Sequence, residues 1–331
     1  MTCLRRDRGF CYKPDTKEFN NHTRICFGNA VYSYLIPSLL HFSGFLYALY
    51  LFRIKESEQL ENLMERTFLL SSHRTDGPKT QQALVRKLWI FIVCCILWIL
   101  LSFSSVIIML HRVEVIMQWI YSENYEKALK TILIISTLWH DMVQATIITS
   151  YCLQAQLLSS SLHFLRAKLL QHTIPPLTWI REINEYQNFL NYLNNEFAPA
   201  VCVFILLDIS WAFSGSAWLY NWAESDNTPG HVYNVLITGL WTLAAIVPFI
   251  MASFLTSACS MLRSLGHEVR TRPFVYQDTP AEDLNTILLY TSTLKMKCKL
   301  FRIPVSGRYL IFSLSVCAIL ILILGQCHIL K

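Results

Sequence analysis

The chain has few charged residues, few glycines and prolines, and no cysteines spaced to hold a metal. Only 15% of its 331 residues are charged, whereas a soluble globular chain carries about a quarter, and this excludes an ordinary water-solvated domain. The 10 glycines and 11 prolines are too sparse for a collagen-like or low-complexity chain. The 11 cysteines contain no CxxC pair and no His/Cys metal spacing, so neither a metal nor a cofactor is expected.

Long hydrophobic runs are what the sequence does contain. Hydrophobic residues make up 53% of the chain, and its mean hydropathy is +0.38. All 28 Lys and Arg lie outside these runs, so that each run approaches or exceeds the roughly 20 residues that span a bilayer. We therefore expect an all-α, polytopic helical membrane protein, multi-pass in the cell membrane. The six predicted transmembrane helices are 26–52, 88–110, 131–160, 198–220, 234–262 and 309–330.

The distribution of Lys and Arg predicts the orientation, because cytoplasmic loops retain positive charge. The loops 53–87, 161–197 and 263–308 together hold 18 of these residues, whereas 111–130, 221–233 and the C-terminal residue hold four. The three longer loops are therefore expected to be cytoplasmic. The net charge of +6 follows from basic loops that lie beside anionic headgroups, so no nucleic-acid partner is expected.

The N-terminal segment 1–25 does not fit this orientation. It carries six basic residues, which favour the cytoplasm, although an even number of spans puts it outside the cell. Asn21-His22-Thr23 is an N-glycosylation acceptor pattern and makes Asn21 a glycosylation candidate. Two explanations stay open: a basic segment is translocated against its charge, or an initial span is missing.

Two predicted cytoplasmic helices extend the spans below the membrane. One covers 177–197, with an apolar face at Ile180, Ile183, Tyr186, Leu190, Leu193 and Phe197. The other begins at Thr279, with Pro280 as its first helical residue. We expect the two helices to pack together. The predicted organisation is thus an N-terminal segment 1–25, a transmembrane bundle 26–262, a cytoplasmic helical segment 263–308 and a final helix 309–331.

The run LLYTSTLKMKCKLFRIPVSGRYLIFSLSVCAILILILGQ resembles the C-terminal signature of insect gustatory receptors and gustatory-receptor-like proteins, which are relatives of the insect odorant receptors. In that family a Leu-Phe pair precedes a last helix, which closes with Thr-Tyr, five apolar residues and Gln-Phe. Leu300-Phe301 matches the pair, and Gln326 matches the glutamine. Ile319 and Leu320 stand at the Thr-Tyr positions. From residue 128 onward, the order of spans and loops also fits the family.

The resemblance implies a seven-span subunit of a ligand-gated cation channel. The first two spans here would correspond to the family's second and third, so that the family's first span is missing. The subunit would form a homo- or heterotetramer in membrane lipid through contacts of the segment 263–308. It would bind a small-molecule tastant or other organic ligand and conduct cations. No enzymatic activity is expected.

The last helix of each subunit lines the pore in this family. On a helix, Gln326 shares a face with Ile323, Leu322 and Ile319. The resemblance therefore implies a ring of glutamines for a partly dehydrated cation, beside aliphatic residues that close the pore by dewetting. The alternative is that Gln326 only marks the headgroup boundary.

A candidate ligand pocket follows from polar residues inside predicted spans. His140, Asp141 and Gln144 lie in 131–160, and a ligand cavity needs apolar walls with a few such groups. The resemblance implies that the cavity also includes residues from the outer halves of other spans, namely Tyr32, Tyr34 and Trp241. Interfacial anchoring is the alternative for the tyrosines, and a structural pair is the alternative for His140 and Asp141.

Asp208 is a second buried acid, deep in the predicted span 198–220. Ionisable groups at this depth are costly, and they are functional candidates for that reason. Because no Lys or Arg lies in any span, its partner must be a neutral donor, a histidine such as His41, or water, unless the carboxyl group is protonated. Asp208 is therefore expected to join helices or to line a cavity. The second alternative is that it lies on an ion path.

Other classes fit the sequence less well. A G-protein-coupled receptor would have an acidic-Arg-Tyr triplet and an Asn-Pro pair, and a transporter would show paired Gly- or Pro-broken spans. A membrane enzyme would cluster His, Asp, Glu or Cys at one interface. The remaining alternative is a gustatory-receptor-like membrane protein that keeps the fold without channel activity, as a partner or orphan subunit.

Overall fold

The computed structural model describes residues 36–54, 58–72, 77–112, 123–221, 228–271 and 280–308, with residue 311. Within these ranges the chain is mostly helical. The segment 1–25 and nearly all of the final helix 309–331 lie outside the described residues. The helices are α1 (Ile36–Leu49), α2 (Gln59–Ser72), α3 (Gly77–Arg112), α4 (Glu123–Leu170), α5 (Pro176–Tyr192), α6 (Ala198–Asn221), α7 (Thr228–Arg270) and α8 (Ala281–Thr293).

Three helices within the described residues are long and apolar enough to cross a membrane: Lys79–Ile107, Pro176–Ala212 and Val235–Arg270. They lie in α3, in α5 with α6, and in α7. In α3 the outward face is apolar, as contact with lipid requires, with exposed side chains at Trp89, Ile90, Val93, Ile96, Leu97 and Leu100. The chain is therefore a mostly helical protein with three candidate membrane-spanning helices, and the prediction of a helical membrane protein is supported to that extent.

The predicted span 131–160 lies within α4, which is not among these three candidates. Helix α4 packs against α2, α3, α5, α6 and α7. Tyr151, Leu158 and Leu162 are fully buried in these contacts. The first half of α4 also has an exposed apolar side, with Ile132, Ile135, Trp139 and Met142. Helix α4 therefore has one side inside the bundle and one side outside it.

A π-helical turn, Leu193–Phe197, joins α5 to α6 and makes them one continuous helix. Pro199 explains the turn, since proline has no N–H to donate and its ring displaces the carbonyl four residues before it. The predicted apolar face of α5 is confirmed, with Ile183, Tyr186 and Leu190 buried. The same face continues through Leu193 and Phe197, which are also buried.

Helix α8 packs against α7 and α5, as the sequence predicted for the helix that follows Thr279. It begins at Ala281, with Pro280 as its N-cap, so the prediction of Pro280 as the first helical residue is wrong by one position. Tyr290 Oη donates a hydrogen bond of 2.6 Å to Asn184 Oδ1 of α5. The boundary predicted between 262 and 263 falls inside α7, which continues to Arg270.

A two-stranded hairpin follows α8 and was not predicted. Strand β1 (Lys299–Leu300) pairs antiparallel with β2 (Ile303–Pro304). Phe301 and Arg302 form the turn, with φ angles of 53° and 61°, as a two-residue type I′ turn requires. Leu300 is buried, and the ring of Phe301 stacks on Phe249 of α7 at 6.3 Å between centroids. The Leu300-Phe301 pair therefore anchors the hairpin to the bundle.

Candidate functional site

A cluster of five polar side chains lies buried between α3, α4 and α6. We call it the polar cluster. Its members are Ser102, His140, Asp141, Gln144 and Asp208, and all of them are buried. Helix periodicity explains how α4 contributes three of them. Residues 141 and 144 follow residue 140 by one and four positions, so all three share one side of the helix.

Asp141 is held by two neighbours. Ser102 Oγ of α3 donates a hydrogen bond of 2.8 Å to Asp141 Oδ2. Nδ1 of the His140 ring lies 3.2 Å from Asp141 Oδ1, and it donates this hydrogen bond when the carboxyl group is ionised. The carboxyl group thus joins α3 to α4 through partners that are not permanently charged.

Gln144 and Asp208 link α4 to α6. Gln144 Nε2 donates a hydrogen bond of 2.5 Å to Asp208 Oδ1, and both residues are fully buried. Their second oxygens, Gln144 Oε1 and Asp208 Oδ2, are also buried and accept no hydrogen bond from the described residues. An unsatisfied buried acceptor costs about 1–3 kcal/mol. The pair therefore holds two acceptors that a ligand with N–H or O–H groups would satisfy.

Aromatic rings close one side of the polar cluster. The centroid of the His140 ring lies 3.7 Å from that of His41 of α1 and 5.1 Å from that of Trp211 of α6. Trp211 in turn contacts Trp241 of α7 at 4.0 Å, and Trp241 contacts Trp98 of α3 at 5.6 Å. A chain of rings therefore leads from His140 of the polar cluster through Trp211 and Trp241 to Trp98 of α3.

A small apolar cleft lies at the far end of this chain of rings. It has a volume of about 130 Å³ and is formed by α3, α4 and α7. Trp98 lines it together with Phe91, Cys152 and Leu243. Leu243 is exposed, so the cleft opens on the outer, apolar surface of α7. Trp98 thus lies between this opening and the rings that adjoin the polar cluster.

The polar cluster is suited to binding rather than to metal chemistry. Within the described residues, no group of three or more His, Cys, Asp and Glu side chains is placed to hold a metal ion. Burying a carboxyl group in a low-dielectric interior is costly unless hydrogen bonds compensate it, and here Asp141 has two neighbours while Asp208 has one. The arrangement offers hydrogen-bond acceptors beside stacked aromatic rings.

Of the residues that the sequence proposed for a ligand pocket, four are brought together. His140, Asp141 and Gln144 lie in the polar cluster, and Trp241 lies in the adjoining chain of rings. Asp208, which we had treated separately, joins them through Gln144. The remaining candidates lie outside the described residues: Asn21, Tyr32, Tyr34, Ile319, Leu322, Ile323 and Gln326.

Sequence reasoning missed Ser102, Trp98 and Trp211. Trp211 could have been found, because it follows Asp208 by three residues and so shares its helix face. Ser102 and Trp98 carry no comparable signal, since serine and tryptophan are unremarkable in an apolar helix and only packing brings them to α4 and α7.

No protein-family model matches the chain, and a comparison with curated proteins finds no match.

Proposed function

We propose that the chain is a gustatory-type chemoreceptor subunit that acts as a ligand-gated cation channel in the cell membrane. In this proposal the chain is multi-pass, with six spans: α1, α4 and the segment 309–330 cross the membrane together with the three candidate helices. The three loops rich in Lys and Arg lie in the cytoplasm. Four subunits, identical or different, surround one pore.

The observation that carries the proposal is the order of elements after residue 123. A long central helix, α4, is followed by the continuous α5–α6 helix, by α7, and by the short helix α8. The hairpin with Leu300-Phe301 then leads directly into the apolar segment 309–330. The same order, with a Leu-Phe pair before the last helix, is what the resemblance to gustatory receptors rests on.

The polar cluster supplies the ligand site in this proposal. Gln144 Oε1 accepts hydrogen bonds, and so does Asp208 Oδ2 while its carboxyl group is ionised, and the pair then favours an organic ligand with amine or hydroxyl groups. The stacked rings provide its apolar surface. Because Gln144 and Asp208 are fully buried, a ligand reaches them only if helices separate. Ligand binding is thereby linked to helix movement, which is what gating requires.

The pore is formed by the last helix in this proposal. Gln326 contributes its side-chain oxygen to a ring that binds partly dehydrated cations. Ile319, Leu322 and Ile323 lie on the same helix face and form the gate.

Patch-clamp recording of cells that express the chain, alone and with partner subunits, tests the proposal. We expect a cation current that amines or polyols evoke. Asp208→Asn should raise the ligand concentration for half-maximal current about tenfold, the equivalent of one buried hydrogen bond of about 1.4 kcal/mol. Asp283→Asn, in the first turn of α8, is the matched control and should leave the response unchanged. Gln326→Glu should change ion selectivity. The absence of any basal or evoked cation current contradicts channel function.

A gustatory-receptor-like membrane protein without channel activity is the second candidate. It is favoured by the residues at the end of the chain, where Ile319 and Leu320 replace the family's Thr-Tyr and Cys327 replaces its Phe. The two candidates differ in one measurement. A partner or orphan subunit binds the ligand and reaches the membrane, but Gln326→Glu then leaves the permeation of every co-expressed channel unchanged.

A further inference from the structure

A second cavity lies at the basic end of the bundle, far along α4 from the polar cluster. We call it the basic groove. It has a volume of about 520 Å³ and lies between α3, α4 and α7. Its lining combines two basic side chains with hydroxyl groups and apolar surface: Lys87, His163, Thr80, Ser160, Ser257 and Phe254.

The groove is positively charged. None of its lining residues, all of which are described, is Asp or Glu. Arg166 lies close by, and its charge is neutralised by Glu268, with Nη2 at 3.1 and 2.8 Å from the two carboxylate oxygens. Burial, followed by Arg166 and Lys87, lowers the pKa of His163, so these cationic groups are near enough to repel one another. Lys87 is the lining residue whose positive charge is permanent at neutral pH.

The groove also lies at the border between apolar and polar surface. Directly after Lys87 and Leu88, α3 presents the exposed apolar side chains Trp89 and Ile90. On α7, the exposed ring of Phe254 lines the groove itself. Both helices are candidate membrane spans, so this apolar surface faces acyl chains. An occupant must therefore present an anionic, hydrogen-bond-accepting head to Lys87 and an apolar tail to Phe254.

We infer that the basic groove binds the phosphate headgroup of an anionic phospholipid, with its acyl chains on the lipid-facing surface beside Phe254. Lys87 supplies the charge, and the hydroxyl groups of Ser160 and Ser257 donate to phosphate oxygens. Basic pockets between helices at the cytoplasmic side of a membrane bind such headgroups. The inference does not depend on channel activity or on the polar cluster, because it concerns another cavity.

Native mass spectrometry measures this binding. The full chain in detergent is titrated with phosphatidylinositol 4-phosphate or with phosphatidylcholine. We expect tight binding of the anionic lipid only. Lys87→Gln should weaken it about fivefold, which corresponds to about 1 kcal/mol for one basic residue at a membrane surface. Arg86→Gln is the matched control. It removes the same charge from the adjacent exposed residue, which does not line the groove, and should weaken binding by less than about twofold.

A second pair of variants tests the site without changing charge. Ser257→Leu fills the groove and should reduce lipid binding, whereas Ser260→Leu, one helical turn away and outside the lining, should leave it intact. Equal losses in Lys87→Gln and Arg86→Gln would mean that the whole basic end attracts lipid, and would overturn the assignment. Binding of soluble inositol phosphate shows whether the groove recognises a lipid or only its phosphate group. If the inositol phosphate binds as tightly as the lipid and with the same dependence on Lys87, the groove is an anion site that needs no membrane, and the lipid assignment is wrong.

Discussion

Gly266 of α7 packs directly against α8, and its replacement by alanine should separate the two helices. A Cβ atom at residue 266 would lie 2.9 Å from the Leu288 Cα atom of α8 and closer still to Thr291 Oγ1. Distances below 3.0 Å are essentially never seen for real Cβ atoms. The side chain of Thr291 can rotate, but the Leu288 contact is with backbone, so α8 itself must move.

The magnitude follows from two opposing contributions. Inserting a methyl group into a packed contact costs about 1–3 kcal/mol, whereas replacing glycine by alanine inside a helix gains about 1 kcal/mol. We therefore expect Gly266→Ala to lower the free energy of unfolding by about 1 kcal/mol, within a range of 0–2. Thr291→Ala in the same chain should restore only part of this loss, because the contact with the Leu288 backbone remains.

Gly239 provides the control, since it lies on the same helix α7 with nothing within 4 Å of a Cβ atom. Gly239→Ala should gain the helix contribution without the clash and stabilise the chain by about 0.5–1 kcal/mol. The variants are compared by their thermal unfolding midpoints. The purified chain is heated in detergent, and size-exclusion chromatography measures the fraction that remains folded. Hydrogen exchange of the α8 amides shows whether the effect is local to α8. If Gly266→Ala is as stable as Gly239→Ala and α8 keeps its protection, the close approach of α7 and α8 is wrong.

Three further predictions concern the hairpin, the polar cluster and the basic groove. Arg302→Gly should raise the thermal unfolding midpoint, because a non-glycine residue with φ of 61° carries about 1 kcal/mol of strain. Gln144→Leu should destabilise the chain by about 2 kcal/mol, because it leaves the Asp208 carboxyl group without its donor. Adding Asp208→Leu should restore most of the loss. Chemical denaturation in detergent measures the stability of both variants. His163 has a lowered pKa, so its contribution to stability is full above the unfolded pKa of about 6.5 and is lost as pH falls through the folded value. Lys87→Gln removes one of the charges that lower the pKa of His163, so this pKa should rise and the loss of stability should occur at higher pH. NMR titration of the histidine measures the pKa.

The sequence determined the elements whose signal is local. The apolar spacing from Ile183 to Phe197 was sufficient to predict the buried face of α5, because each helical turn repeats the same requirement. Pro280 indicated the start of α8 to within one residue. Long apolar runs predicted membrane helices within α3 and α7, and both contain candidate spans, because a helix that crosses a bilayer needs about 20 predominantly apolar residues.

Tertiary packing decided the features that join distant segments. Gln144 and Asp208 are 64 residues apart, and their hydrogen bond exists only because α4 and α6 are neighbours. The side of α4 that lies inside the bundle is decided in the same way: Asp141 and Gln144 are buried there, whereas Ile135 and Trp139 on the same helix are exposed. The turn at Phe301 and Arg302 carried no glycine signal, and contacts such as the stacking of Phe301 on Phe249 hold it in place. Periodicity thus determined which side of each helix is buried, whereas only the packed bundle decided which polar groups meet there.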